Sequence, residues 1–208
     1  MRTHTVLGST PLLPELRLHL ASEITPLWQA TEASLEATGV APPYWAFAWV
    51  GGQALARHVL DHPQLVRGRR VLDFAAGSGV AGIAAARAGA GSVIAADLDP
   101  LALAALALNM AANGVVLASS AADLTAGEAG GWEVILAGDV CYERPMAERV
   151  TGWLGTAARA GSLVLLGDPG RAYLPKQRLV ELARYTVPTT REIEDHDSRE
   201  TVVWRLTA

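Results

Sequence analysis

In 208 residues the chain has a single cysteine, Cys141, and a single lysine, Lys176. One thiol cannot close an internal disulfide, so a disulfide framework is excluded and a reducing compartment is expected. Cys and His are nowhere set at metal-ligand spacing, and no metal is expected. The 17 basic residues form no block and no basic-aromatic stripe, and 21 acids leave a net charge of −4. Nucleic acid is therefore not the expected partner. The apolar region over 93–112 is interrupted by Asp97 and Asp99, so no membrane span is expected. The N-terminus lacks the charged head, continuous apolar stretch and small-residue cleavage site of a signal peptide, which predicts a soluble, cytoplasmic protein.

What is present is a globular composition, 50% hydrophobic with 6% aromatics, enough for one α/β domain. The reading predicts an N-terminal portion over 1–66 and a core over 67–208. Residues 14–37 carry Leu16, Leu18, Leu20, Ile24, Leu27 and Trp28 at mixed helical spacings around Pro26, predicting two short N-terminal helices. The stretch PPYWAFAWVGGQALARHVLDHP over 42–63 predicts an aromatic loop and then a helix ending ahead of Pro63. Trp45 and Phe47, which alternate with Trp49, read as a buried strand.

From residue 70 onward strands and helices alternate. Strands are expected in RVLDFAA, SVIAADLD, VVLASSAADL, WEVILAGDV and SLVLLGDP. Helices are expected over 80–88, 100–112, near 145–159 and near 175–183. Continuous apolar strands joined by helices imply a buried, mostly parallel sheet. The last two extended stretches, YTVPTTREIE and ETVVWRLTA, are separated only by the short DHDSR. A parallel crossover needs a dozen or more residues, so the terminal strand is expected to run antiparallel.

Residues 71–82, VLDFAAGSGVAG, contain Gly77-Ser-Gly79-Val-Ala-Gly82. G-x-G-x-x-G alone is a weak signal. Asp73 distinguishes this turn: a dinucleotide pyrophosphate wants bare N–H groups and a helix dipole, not an anion. Glycines let a cofactor approach the backbone, while a carboxylate at the strand end can fix the turn's N–H groups and face an ammonium. Asp97 closes the next strand 20 residues after Gly77, where an acid accepts hydrogen bonds from ribose hydroxyls in either cofactor class. Asp99 before Pro100 reads as a helix N-cap. Cys141 reads as core, and His58, His62 and His196 as surface or capping residues.

The acid within the first strand, the glycines after it and the antiparallel ending resemble the S-adenosylmethionine-dependent methyltransferases with a Rossmann-like, seven-stranded sheet. Asp139 with Tyr142 three residues on, at the end of the fourth strand, resembles the D-x-x-Y of the seven-strand methyltransferase family 16. The segments PYWAFAWVGGQALAR and LLGDPGRAYLP, within a likeness reaching from about 14 to 206, resemble its electron transfer flavoprotein beta subunit lysine methyltransferases. Val50 departs from the proline usual there.

The resemblance implies S-adenosylmethionine as cofactor and that flavoprotein's beta subunit as protein substrate. It implies cofactor contacts from Trp49, Gly51, Asp73, Gly77, Gly79, Asp97, Asp123 and Asp139, with Asp123 receiving the adenine amino group. Asp139 and Tyr142 are implied at the catalytic centre, where Asp139 would position the amine rather than act as a strong base. The alternatives are an N-methyltransferase of another protein or of a small amine such as a nicotinamide-like base, a nicotinamide-dependent oxidoreductase, and a silent cofactor-binding module.

Overall fold

The computed structural model describes residues 5–21, 43–175, 177–190 and 194–208. Its first element corrects the sequence reading. Residues Val6–Thr10 (β1) and Leu13–Leu20 (β2) form an antiparallel hairpin, not a helix. The period-2 alternation in LRLHL decides it: Leu16 and Leu18 are fully buried while Arg17 between them is exposed. The rest of the expected helical stretch, residues 22–37, lies outside the described residues.

Trp45 and Phe47 are buried, but in a 3-10 turn over Tyr44–Ala46 and the loop after it, not in a strand. The turn closes through the Ala46 N–H on the Pro43 carbonyl, 2.9 Å. Helix α1 (Val50–Asp61) follows and ends ahead of Pro63 as expected.

Strand β3 (Arg70–Phe74) then leads through the glycine turn into α2 (Val80–Arg87), β4 (Ser92–Ala96), α3 (Pro100–Asn113) and β5 (Ala118–Ser120). β5 keeps only three residues of the stretch expected over 115–124. Asp99 caps α3 as read, accepting the Leu101 N–H at 2.8 Å. β6 (Val134–Gly138), α4 (Arg144–Arg159) and β7 (Leu163–Asp168) follow, then β8 (Leu179–Pro188) and β9 (Ser198–Leu206).

β8 replaces the helix expected near 175–183. Leu179, Val180, Leu182 and Ala183 mimic helical spacing, but the backbone pairs along its length with β9, and Val180 and Leu182 face outward from the sheet edge. Long-range pairing overrides local pattern here. Residues 191–193 of the first terminal stretch lie outside the described residues.

The seven-stranded sheet has the order β5-β4-β3-β6-β7-β9-β8. β9 alone runs against its neighbours β7 and β8, which is the antiparallel ending the short connection required. Both faces are covered. Val71, Val134, Leu136 and Leu165 pack toward α1, α2 and the hairpin, while Leu72, Phe74, Ile135 and Leu166 pack toward α4 through Trp153 and Leu154. Among the described residues no helix is long and apolar enough to cross a membrane.

Candidate active site

The parallel strands end on one edge, where open α/β sheets receive ligands. At the end of β3 the chain turns sharply: Ala75, Gly77 and Gly79 have φ of 52°, 52° and 76°. A Cβ on Gly79 would stand 2.2 Å from Cδ1 of the buried Leu106, so Gly79 is favoured by its positive φ and because a side chain there would force Leu106 to shift.

Two carboxylates tie the turn down. Asp73 Oδ2 accepts the Gly82 N–H at 2.8 Å, and Asp97 Oδ2 accepts the Gly77 N–H at 2.8 Å while its Oδ1 takes that of Asp99. Asp73 is 3% exposed, and burial pushes it up to about 7, against the opposing pull of the Gly82 N–H. Burial raises Asp97 as well, with its backbone hydrogen bonds opposing.

At the end of β6, Asp139 adopts the left-handed conformation, φ 55°. Such a residue persists only where its surroundings over-determine it, and here they do. Its Oδ2 accepts the N–H groups of Gly51 and Gly52 at 2.6 and 3.2 Å, capping the N-terminus of α1. Its Oδ1 accepts Arg171 Nη2 at 2.9 Å. The approach of α1 to the sheet is close enough to demand glycines: a Cβ on Gly51 would lie 2.2 Å from the Gly167 carbonyl oxygen, and one on Gly138 would lie 2.7 Å from the Gly52 nitrogen. Burial pushes Asp139 up to about 6; Arg171 opposes this, and Glu194 and Asp168 add to it.

One cleft of about 790 Å³ gathers Trp49, Gly77, Asp97, Asp123, Asp139 and Tyr142. That volume suits a small-molecule site. Asp123 is exposed at its rim, where it caps a 3-10 turn through the Thr125 N–H and meets Arg149 at 3.2 Å. The Tyr44 ring lies 5.5 Å from that of Tyr142 and 5.8 Å from that of Trp49. Burial pushes the Tyr142 phenol up to about 12, so it keeps its proton.

Gly51, Asp73 and Gly79 do not line this cleft. Asp73 borders a smaller hollow of about 40 Å³ that shares Trp49, Gly77 and Asp139 with it. Gly51 lies against Gly167 and Asp139, and Gly79 against Leu106.

Sequence reasoning missed Arg171, Glu194 and Tyr44. Asp-Pro-Gly-Arg after an apolar strand is a turn signal, and Asp168 Oδ1 does accept the N–H groups of Gly170 and Arg171, both at 2.7 Å. That signal puts Arg171 at the same sheet edge as Asp139. Nothing local marks Glu194. Cys141 is core, with its thiol pushed up to about 12 by burial. His58 is a buried residue rather than a surface one, 3.2 Å from the Tyr185 hydroxyl. His62 ends α1, with Nδ1 3.0 Å from the His58 carbonyl, and His196 is exposed.

The family model for ribosomal protein L11 methyltransferase (PrmA) matches residues 54–138. The chain is 40% identical over 207 residues to the electron transfer flavoprotein beta subunit lysine methyltransferase of Xenopus laevis, covering 97% of this chain and 83% of that protein. To the Homo sapiens protein of that name it is 32% identical over 208 residues, covering 96% and 77%. Among solved structures it is similar to the magnesium protoporphyrin IX methyltransferase (ChlM) from Synechocystis PCC 6803 with bound SAH. There the TM-score is 0.54 and the identity 16%, over 75% of this chain and 81% of that one. The ribosomal protein L11 methylase from Lactobacillus delbrueckii subsp. bulgaricus aligns with a TM-score of 0.52 at 20% identity, over 76% and 79%. These two likenesses show the fold.

Proposed function

The chain belongs to the family of electron transfer flavoprotein beta subunit lysine methyltransferases, and we propose on that premise that it methylates lysines of that flavoprotein's beta subunit, with S-adenosylmethionine as donor. The observation that carries the reading is one cleft lined by Gly77 and Asp97 together with Asp139 and Tyr142, which would bring an adenosine-binding group and an amine-binding group into one space. We take residues 1–208 as one domain, the hairpin and aromatic loop closing over a core from residue 67, and the cytoplasm as its compartment.

The residues fit the cofactor. The glycine turn leaves room for close backbone approach, Asp97 offers a carboxylate to ribose hydroxyls, and Asp123 stands at the rim to accept an exocyclic amine. Asp73 and Asp139 bracket the smaller hollow, which suits the ammonium end of an amino acid. When bound, S-adenosylmethionine supplies an electrophilic methyl group on a sulfonium whose departure leaves a neutral thioether.

What the chain must supply is a neutral amine held in line. A lysine amine near pKa 10.4 is mostly protonated at neutral pH, so its proton passes to water before attack. Asp139 accepts a hydrogen bond from the amine and stabilises the charge that grows on nitrogen. Being held at about 6, Asp139 is ionised above neutrality and is too weak a base to take the proton for itself. Tyr142 and Tyr44 line the same cleft, where an aromatic ring can interact with the positive charge that develops on nitrogen.

The test is reaction of the protein with S-adenosylmethionine and purified flavoprotein, followed by mass spectrometry. The expected result is mass added in methyl steps on lysines of the beta subunit and none on the alpha subunit. Efficient methylation of a nicotinamide-like base with the flavoprotein untouched would replace this reading with the small-amine one.

A further inference from the structure

The wall of the cleft behind Asp139 holds more buried charge than amine binding needs. Asp139, Asp168 and Glu194 are 9%, 1% and 6% exposed. They come from three places in the fold: the end of β6, the end of β7 and the connection into β9. Arg171 joins them. Its Nη2 donates to Asp139 Oδ1 at 2.9 Å and to Glu194 Oε1 at 2.6 Å, its Nη1 to Glu194 Oε2 at 3.3 Å, and its backbone N–H to Asp168 Oδ1. Arg199 Nε stands 3.8 Å from Glu194 Oε2. Arg171 also lines the cleft, with its guanidinium carbon 6.0 Å from the Trp49 ring centroid.

We propose that Arg171 is a positioning residue that keeps Asp139 ionised and turned to the cleft, and that Glu194 sets how much of the guanidinium charge Asp139 receives. The α1 N–H groups fix one oxygen of the carboxylate and Arg171 fixes the other, so the plane of the group cannot rotate. A carboxylate oxygen has two acceptor positions, and Oδ1 therefore keeps one after Arg171 is satisfied. Without the guanidinium, Asp139 would face Asp168 and Glu194 in a buried setting with no other cation against it among the described residues, and it would take up a proton more readily. A protonated Asp139 would no longer stabilise positive charge on an amine nitrogen. Arginine suits the place because its guanidinium stays protonated and offers no competing amine nucleophile beside the transfer site.

The kinetic consequence rests on the methyltransferase reading, whereas the charge coupling does not, so the test reads both. Asp139 is followed by ¹³C-carboxyl NMR in aspartate-labelled protein across about pH 4–9, its resonance assigned with D139N. Arg171→Gln should raise the Asp139 midpoint by about 1–3 pH units, and Arg171→Lys should restore most of it. Glu194→Gln should move the midpoint the opposite way, downward, because a like charge is removed and the guanidinium is left to Asp139. The acid limb of kcat should follow the same two directions. A merely structural staple would lower stability in both variants without opposite titration shifts. An unchanged midpoint in Arg171→Gln, or movement in the same direction in both variants, overturns the proposal. Should Arg171→Gln fail to fold, the downward shift in Glu194→Gln and a retained midpoint in Arg171→Lys decide it, and an unmoved midpoint in Glu194→Gln overturns it. A wild-type protein that shows this coupling but methylates no beta-subunit lysine leaves the proposal standing and removes the substrate reading.

Discussion

Asp97 spends both carboxylate oxygens on backbone amides, those of Gly77 and Asp99, and still faces the cleft. It thus organises the glycine turn, and under the proposed function it also offers an acceptor to a ribose. Asp97→Ala is expected to weaken both S-adenosylmethionine and S-adenosylhomocysteine by about 10- to 100-fold, the scale of a charge-assisted hydrogen bond. Calorimetry measures it; equal affinity in the variant would remove the ribose role. Asp97 and Asp139 were legible because an acid ending an apolar strand falls on the ligand edge of a parallel sheet whatever the details. Their backbone partners were not. The cap that Asp139 places on α1 joins residues 88 apart in sequence, and no local spacing encodes such a contact. Arg171 was half legible, since its turn chemistry fixes where it starts but not that its side chain reaches Asp139.

The elements follow the same division. Strands buried on both faces and helices with a cap or a terminal glycine were readable, because their signals are local. β2 and β8 were misread because each lies at an edge, where a strand's pattern is diluted by exposed positions; β8 gains its ladder from β9, and β2 pairs with the adjacent β1 but rests on a helix far along the chain. β2 is held in part by α3. Asn109, fully buried, accepts the His19 N–H at 2.7 Å and donates to the Ser78 carbonyl at 2.8 Å, while Asn113 bonds the N–H and carbonyl of Arg17. Asn109 therefore links the N-terminal hairpin to the glycine turn. Asn109→Ala should destabilise the fold by about 1–3 kcal/mol, since it strands a buried donor and a buried acceptor. Hydrogen exchange should locate the loss, with the His19 amide exchanging faster and α4 unaffected. Uniform acceleration across the chain would show that Asn109 serves general packing and not this link.

At the scale of the whole molecule, a cluster of acids along one sheet edge makes stability depend on pH in an unusual direction. Burial raises Asp73 to about 7 and Asp139 to about 6, and raises Asp97 and Asp168 too. A group whose folded pKa lies above its unfolded value, 3.8 for an aspartate, binds its proton more readily in the folded chain. The stability it contributes is complete below the unfolded value and is lost as pH rises through the folded one. For Asp73 that window runs from about 4 to about 7, with a slope of at most about 1.4 kcal/mol per pH unit from one group. Wild-type protein should accordingly melt at a higher temperature near pH 6 than near pH 8, opposite to the usual behaviour of ion-paired carboxylates. Asp73→Asn keeps an acceptor for the Gly82 N–H and removes the buried charge. It should gain stability at about pH 8, change little near pH 5, and flatten the dependence between them. Calorimetric melting curves of the two proteins that ran parallel across that range would mean that Asp73 is ionised at little cost, and the charge would then have to be balanced within the smaller hollow it borders. Under the proposed function the same variant should bind S-adenosylmethionine more weakly, because the acid that burial makes costly would be the one nearest the ammonium end of the cofactor, across the smaller hollow it borders. Stability and binding then move in opposite directions on one substitution, which a purely structural Asp73 would not produce.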